Sequence, residues 1–527
     1  MARVAKGLRS ATTRCAVVLA LVTCLLGGAV PYVGGAGRLY LAYLVVADRA
    51  DAAGVAVADH AIRAEQGVVG QEYPQIGVVL AYAADADFGA EVRAQPGIAA
   101  AGASRTAPVT SPLVTGSATG AAALKAFSAS SASSAPSGRP GPSERGASAG
   151  TGSSRASSAS GPVVAGDSAT VAHADDIPMA PDPHGQLQWF QNMVGESSPL
   201  PASDSTALRH VVVAVLDSGV DDTHPDLRSS VDPSRSVSCA TGTPDTRPGA
   251  WRPDPELGES GHGTHVSGMI AADRPGDGAV GIAPGARIAA VRLLGDAGQY
   301  YGENLVCGFL WAADHGAAVI NDSYFADPWK YNCPENPDQA AITAAVGRAV
   351  RYAQDKGALV VASAGNDAQD LAGPRIDDRS PNDHVDSETP PVRHLGAECI
   401  RLPGGLPGVL DVTALVQDGS LAGYSNWGAG QVALAAPGGD PDGGIPQAVV
   451  SDWPGGRYAA LAGTSMAAAS VSGVAAVEAA RHPDVRGAAL GRLLEQQTMP
   501  LGCASRQPGT KSCPGGPYYG YGLADVR

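Results

Sequence analysis

The chain has 527 residues, with 36 basic and 51 acidic side chains, a formal net charge of −15 and 68 glycines. That length allows several domains, and the composition changes along it too sharply for one. The acidic balance, with no basic patch, speaks against nucleic acid as a partner, and the low charge content with many glycines suits a compact extracellular protein.

In chain order, the first fourteen residues carry Arg3, Lys6, Arg9 and Arg14 and no acid. An apolar stretch from Cys15 to Val30 follows, broken by Gly27-Gly28. A basic segment before a short apolar one reads as a secretory signal peptide over residues 1–37. The rival is a membrane anchor, for which the stretch is short, and no later segment is long and apolar enough to span a bilayer. Leu21-Val22-Thr23-Cys24 resembles a lipoprotein cleavage box only faintly, with Thr23 and the following apolar residues against it.

Residues 38–106 form a predicted small domain. Leu39 to Val46 reads as a strand and Asp51 to Gly67 as a helix. Two strands follow around Gln75 between Val68 and Tyr82, then a helix near Phe88 to Ala94 and a strand ending near Ser104. This β-α-β-β-α-β order suits a small α+β, ferredoxin-like fold. Residues 107–175 are mostly Ser, Ala, Gly and Pro and cannot bury enough surface to offset their ordering entropy. They are predicted to be a disordered linker, a tether open to processing cuts.

Residues 176–527 read as one large α/β domain. Predicted strands at 211–217, 287–294, 318–324 and 358–364 alternate with helices near 262–272, 303–315 and 338–356. That rhythm implies a parallel sheet with helices on both faces. The apolar run from Val211 to Leu216 ends in Asp217, at the strand end where open α/β sheets gather functional residues. Asp217 is equally readable as a polar residue opening a turn. His262 opens a helix of small residues. With His265 it makes a two-histidine pair that lacks an HExxH pattern or a third ligand at a recognisable spacing, so metal binding is disfavoured and His265 reads as a helix-face residue. Ser465, in Gly463-Thr464-Ser465-Met466-Ala467, stands at the start of a run of small residues, where free helix N–H groups could hold a negative oxygen. It could also be a cap before a core helix.

Asp217, His262 and Ser465 are what nucleophilic acyl transfer asks for. A serine hydroxyl needs an imidazole to take its proton, and the imidazole needs a carboxylate to fix its tautomer. Asn366, ending the strand Ala358 to Ala364, could supply a side-chain amide to a tetrahedral oxyanion.

In the order Asp…His…Ser, the DSGV, HGTH and GTSMA segments resemble the signature segments of the subtilisin-like (subtilase) serine proteases. The resemblance implies Asp217 as orienter, His262 as base, Ser465 as nucleophile and Asn366 as oxyanion donor. It also implies substrate contacts at Gly298 and Gln299, in the segment that pairs with an extended peptide. Ser323 and Tyr324 would lie in the facing wall, where relatives have smaller residues than Tyr324 and Phe325. The 38–106 domain resembles the inhibitory, folding-assisting propeptide of secreted relatives. Asp226 aligns with a calcium ligand in many relatives, but Pro275 stands where they use an asparagine side chain and offers only a carbonyl. Ala469-Ser470 replace the Pro-His common after the serine.

Of eight cysteines, two fall in the signal. The rest suggest three disulfides, with Cys503–Cys513 the first choice and Cys307–Cys333 and Cys239–Cys399 as guesses. The resulting expectation is a secreted, self-processing, monomeric serine endopeptidase. Its substrate is a polypeptide, its inhibitor its own propeptide, and it has no nucleic acid partner and no stable membrane anchor. It needs no cofactor, with a weak calcium site left open. One alternative is a narrow-specificity processing protease of a secretion system, like the mycosins, which usually carry a C-terminal membrane helix that this chain lacks. The other is a non-catalytic binding module on the same fold.

Overall fold

The structure, a computed structural model, describes residues 39–109, 169–173, 177, 186–195, 200–257, 260–274, 278–383, 390–501 and 516–526. The expected signal peptide, most of the linker, Pro275 and the Cys503–Cys513 pair lie outside those residues. Among the described residues, no helix is long and apolar enough to cross a membrane.

The N-terminal part runs β1 (Leu41–Ala47), α1 (Ala52–Ala64), β2 (Val68–Tyr73), β3 (Val78–Ala83), α2 (Phe88–Arg93) and β4 (Ile98–Ala103). Its four strands form an antiparallel sheet in the order β2-β3-β1-β4. Asp51 caps α1, its carboxylate accepting the Gly54 N–H at 3.0 Å, as helix starts require. Side chains alternate across a strand. On β1, Tyr43 and Val45 pack with Val55, Ile62 and Phe88 beneath the two helices. Leu44 and Val46 point the other way and share a core with Tyr300, Leu305, Ile342 and Val346 of the large domain. Burial on both faces explains why β1 and β3 are apolar throughout rather than alternating.

The large domain opens with β5 (Ala169–His173) and two short helices, α3 (Trp189–Met193) and α4 (Ala202–Leu208). Then come β6 (Val212–Asp217), β7 (Val237–Ser238), α5 (His262–Ala271), β8 (Arg287–Arg292), α6 (Gly302–Asp314), β9 (Val319–Asp322), α7 (Pro337–Asp355) and β10 (Leu359–Ser363). The rest runs β11 (Arg375–Asp377), β12 (Arg393–Leu395), β13 (Val409–Leu415), β14 (Leu434–Pro437), β15 (Val449–Trp453), β16 (Arg457–Ala462), α8 (Thr464–Arg481) and α9 (Ala488–Gln496). Seven strands form one parallel sheet in the order β14-β13-β10-β9-β6-β8-β7. The α/β expectation therefore holds, and the four strands and three helices predicted for the large domain end within two residues of those observed.

Helix α8 is the centre of this domain. Every residue from Thr464 to Ala480 is buried, which only small side chains permit at such close range. On the opposite face of the sheet, α6 and α7 receive the N-terminal sheet. Arg348 of α7 donates to the Ala47 carbonyl at 2.6 Å and the Ile76 carbonyl at 2.9 Å. Asp338 accepts the Ala103 N–H at 2.8 Å, and Tyr73 donates to the Gly242 carbonyl at 2.5 Å.

The disulfides differ from the guessed pairing. Cys239 is bonded to Cys307, and Cys333 to Cys399. Cys239 follows β7 and Cys307 lies on α6, and both belong to the core beneath the N-terminal sheet. Cys333 and Cys399 lie in a separate small cluster with Tyr331. Sequence spacing carries no information about which loops meet.

Candidate active site

Asp217 ends β6 and is fully buried. Its carboxylate meets His262 Nδ1 at 3.0 and 3.1 Å. Two local devices hold that pair. Ser218 Oγ donates to the Ser260 carbonyl at 2.7 Å and accepts the Gly263 N–H at 3.0 Å, clamping the strand exit to the start of α5. A β-carbon on Gly263 would fall 2.4 Å from the Gly219 carbonyl and 2.9 Å from Asp217 Oδ1, so only glycine permits this approach. His265, one turn on, is wholly buried and faces the Val449 and Ala459 carbonyls at 3.1 and 3.2 Å. Burial, helped by His262, pushes its pKa down to about 3.

Ser465 is the second residue of α8 and 2 % exposed. Its Oγ donates to the Ser323 carbonyl at 3.1 Å, and Ser323 Oγ donates back to the Ser465 carbonyl at 3.4 Å. Tyr324, the next residue, packs edge-on against the His262 ring at 4.8 Å and stacks on Tyr300 at 3.7 Å. The β9 exit thus touches Ser465 through one residue and His262 through the next. Thr464 ties in the neighbouring strand. Its hydroxyl accepts the Gly365 N–H at 3.1 Å. Its N–H and hydroxyl both donate to Asn366 Oδ1 at 2.9 Å, which leaves Nδ2 as the donor end of that amide. Asp217, His262, Ser465, Asn366, Ser323 and Tyr324 are therefore gathered at the carboxyl end of the sheet.

Gly298 and Gln299 lie in a turn closed by the Gly295 N–H on the Gln299 carbonyl at 3.0 Å and the Gly298 N–H on the Gly295 carbonyl at 2.9 Å. They adjoin the site through Tyr300.

The Asp226 carboxylate is met by donors: the Ala279 N–H at 2.8 Å, the Tyr458 hydroxyl at 2.9 Å and the Arg274 guanidinium at 3.4 Å. Among the described residues that set fits a carboxylate already paired, and it does not fit a calcium ion. Asp452 and His224 lie beside it. Burial first, and then Asp226, hold the Asp452 carboxyl well above the usual range. His224 Nδ1 accepts the Asp226 N–H at 3.2 Å.

Sequence reasoning missed a buried charged group beside Asn366. Lys330 pairs with Asp367 at 2.6 Å, and Arg401 lies over the Phe325 ring at 4.8 Å. Burial raises Asp322 to about 8 and Asp411 to about 7, and Arg401 opposes both shifts. These residues come from four separate stretches, 322–330, 367, 401 and 411, and nothing in the local pattern of the charged ones marks them.

A parallel α/β sheet with a carboxylate–imidazole pair and a helix-start serine at its carboxyl end has the layout of a subtilisin-type hydrolase site. The chain belongs to the subtilase family, whose model matches residues 209–522. Fervidolysin of Fervidobacterium pennivorans is 33% identical over 309 residues, 54% of this chain and 37% of its own length. M-protease of Shouchella clausii is 32% identical over 273 residues, 52% of this chain and 55% of its own. Subtilisin Savinase of Lederbergia lenta is 31% identical over 292 residues, 55% of this chain and 84% of its own. The chain thus spans about a third to a half of the length of the first two relatives.

Among solved structures, the epidermin leader peptide processing serine protease EpiP from Staphylococcus aureus superposes with a TM-score of 0.59 at 19% identity, over 92% of this chain and 97% of that one. Fervidolysin gives 0.55 at 22% identity, over 92% and 60%. These two likenesses show the fold.

Proposed function

We propose that this chain is a secreted serine endopeptidase made as a self-processing zymogen. The observation that carries the reading is the convergence of three distant segments: the Asp217–His262 pair at 3.0 Å, and Ser465 held against the same β9 exit that packs on His262. In this reading His262 takes the Ser465 proton as Oγ attacks the scissile carbonyl, and Asp217 stabilises the imidazolium. The Ser465 N–H and Asn366 Nδ2 receive the oxyanion. His262 then gives its proton to the leaving amine, and water, activated by His262, hydrolyses the acyl-enzyme.

Contacts at the two ends of the linker support self-inhibition. Past β4, Arg105 pairs with Glu303 and stacks on Tyr301 at 3.8 Å. The Thr106 and Ala107 N–H groups donate to Asp383 at 2.7 and 2.9 Å. At the far end of the linker, β5 pairs antiparallel with β16, Ala169 opposite Ala462, three residues before Ser465. One end of the linker is thus held at Tyr301, Glu303 and Asp383, and the other on β16 three residues before Ser465; a chain so tethered on both sides of the cleft would hinder a substrate until it is cut.

The test compares the secreted wild type with Ser465→Ala on casein, with N-terminal sequencing of both. The variant is expected to lose hydrolysis by about a millionfold and to keep its N-terminal part attached. Hydrolysis or self-cutting by Ser465→Ala would overturn the mechanism. A narrower reading, a processing protease acting at few sequences, is favoured by the bulk of Tyr324 and Phe325 beside the serine.

A further inference from the structure

A residue whose carbonyl carbon lies over Ser465 Oγ, with its oxygen toward Asn366, sits between two strand exits. One is Ser323 to Phe325 after β9, joined to Ser465 by two hydrogen bonds. The other is Ala364 to Asn366 after β10, joined to Thr464. These are neighbours in the sheet. Among the described residues, the gap between these two neighbouring exits lies beside the side chain of that residue.

The gap is filled. Arg401 is sandwiched in it, its Cζ 4.8 Å from the Phe325 ring centroid on one side. On the other, Cζ and one guanidinium nitrogen lie 3.1 Å from where a β-carbon on Gly365 would stand. Phe325 and Arg401 are each 4 % exposed. The guanidinium is held by charge as well as contact, because Arg401 helps keep the Asp367 carboxyl below its usual range, and the buried Asp322 and Asp411 carboxyls also feel its charge. Lys330, itself paired with Asp367, lies 6.0 Å from the same ring. A long flexible side chain on a surface moves aside at little cost. One fixed between a ring and a glycine backbone, and held by charge, does not.

We propose that Phe325 and Arg401 are specificity-determining residues that restrict the residue before the scissile bond to glycine, alanine or serine. This rests on the endopeptidase reading. A larger side chain must displace the ring or the guanidinium, which close-packed surroundings resist. An acidic one would meet a guanidinium whose charge Asp367 already faces.

The experiment uses the secreted wild-type protein and quenched peptides identical except for Gly, Ala, Ser, Leu, Phe, Lys or Glu before the cut. The expected kcat/KM for Ala exceeds that for Leu and Phe by about 100-fold, the scale of a steric pocket's discrimination. In Phe325→Ala the Leu-to-Ala ratio of kcat/KM rises by about tenfold or more. Phe325→Leu, which keeps the core filled, moves the ratio in the same direction by less. Should Leu, Phe or Lys be the best residue in the wild type, the restriction is wrong. Should Glu be best, Arg401 is a ligand for substrate and the restriction is equally wrong. Cleavage of none of the peptides, nor of casein, instead overturns the endopeptidase reading on which the restriction depends.

Discussion

One end of the Asn366 amide accepts from the Thr464 N–H and hydroxyl, so the orientation of the donor end is set by the residue beside the serine. If that donor binds the oxyanion, Asn366→Ala lowers kcat by about 100- to 1000-fold with KM little changed. Loss of the Thr464 bonds lowers stability by about 1 kcal/mol each, and thermal melts beside the kinetics separate the two effects. An unchanged kcat would remove Asn366 from the mechanism. Asp217→Asn tests the tautomer role, because an amide can present an N–H to Nδ1 where the carboxylate accepts. The expected loss is about 10⁴ in kcat with near-native melting, and a loss of tenfold or less would argue that Asp217 only fills space.

At the scale of elements, β13 shows why some strands were hard to read. Val409–Leu415 is a central strand, yet Asp411 interrupts its apolar run. The sequence predicts no strand there, because a carboxyl in the middle of a buried strand contradicts the usual pattern. Burial raises the Asp411 pKa to about 7, with Arg401 opposing. The folded state therefore holds this proton where the unfolded chain, near pH 4, has released it. The contribution of Asp411 to stability is full below about pH 4 and is lost as pH rises toward 7. Asp411→Asn should remove that decline, read as the wild-type minus variant difference in urea midpoint across pH 4 to 8. A difference that stays constant with pH would mean the carboxyl is ionised in the fold.

The two disulfides also belong to this scale. They span sequence separations of 68 and 66 residues, and chain-entropy arguments put each near 4 kcal/mol. A non-reducing digest should yield the peptide pairs 239–307 and 333–399. The pairs 307–333 and 239–399 would contradict the fold.

For the whole molecule, the decisive feature is the N-terminal sheet on α6 and α7. Leu44, Val46, Val78 and Leu80 bury their side chains in the large domain's core, while Arg348 reaches back to the Ala47 and Ile76 carbonyls. A charged donor serving carbonyls contributes about 1.5 kcal/mol or more. In a Ser465→Ala background, which removes self-cutting if the proposed mechanism holds, Arg348→Ala should speed hydrogen exchange in β1 to β4 and leave β6, β9 and β10 unchanged. Equal exchange with and without Arg348→Ala would mean that apolar contact alone holds the sheet.

The amino-acid sequence by itself determined the α/β class, the positions of its main strands and helices, and the segments that carry Asp217, His262, Asn366 and Ser465. Those properties are written locally, in apolar runs, small-residue helices and glycines such as Gly263 that allow one close approach. Tertiary structure alone decided which cysteines meet, that β1 and β3 are covered on both faces, and that Arg401 stands between Phe325 and Gly365. Each of these depends on where separate loops end in space, and a loop's own residues do not say what will be packed against them.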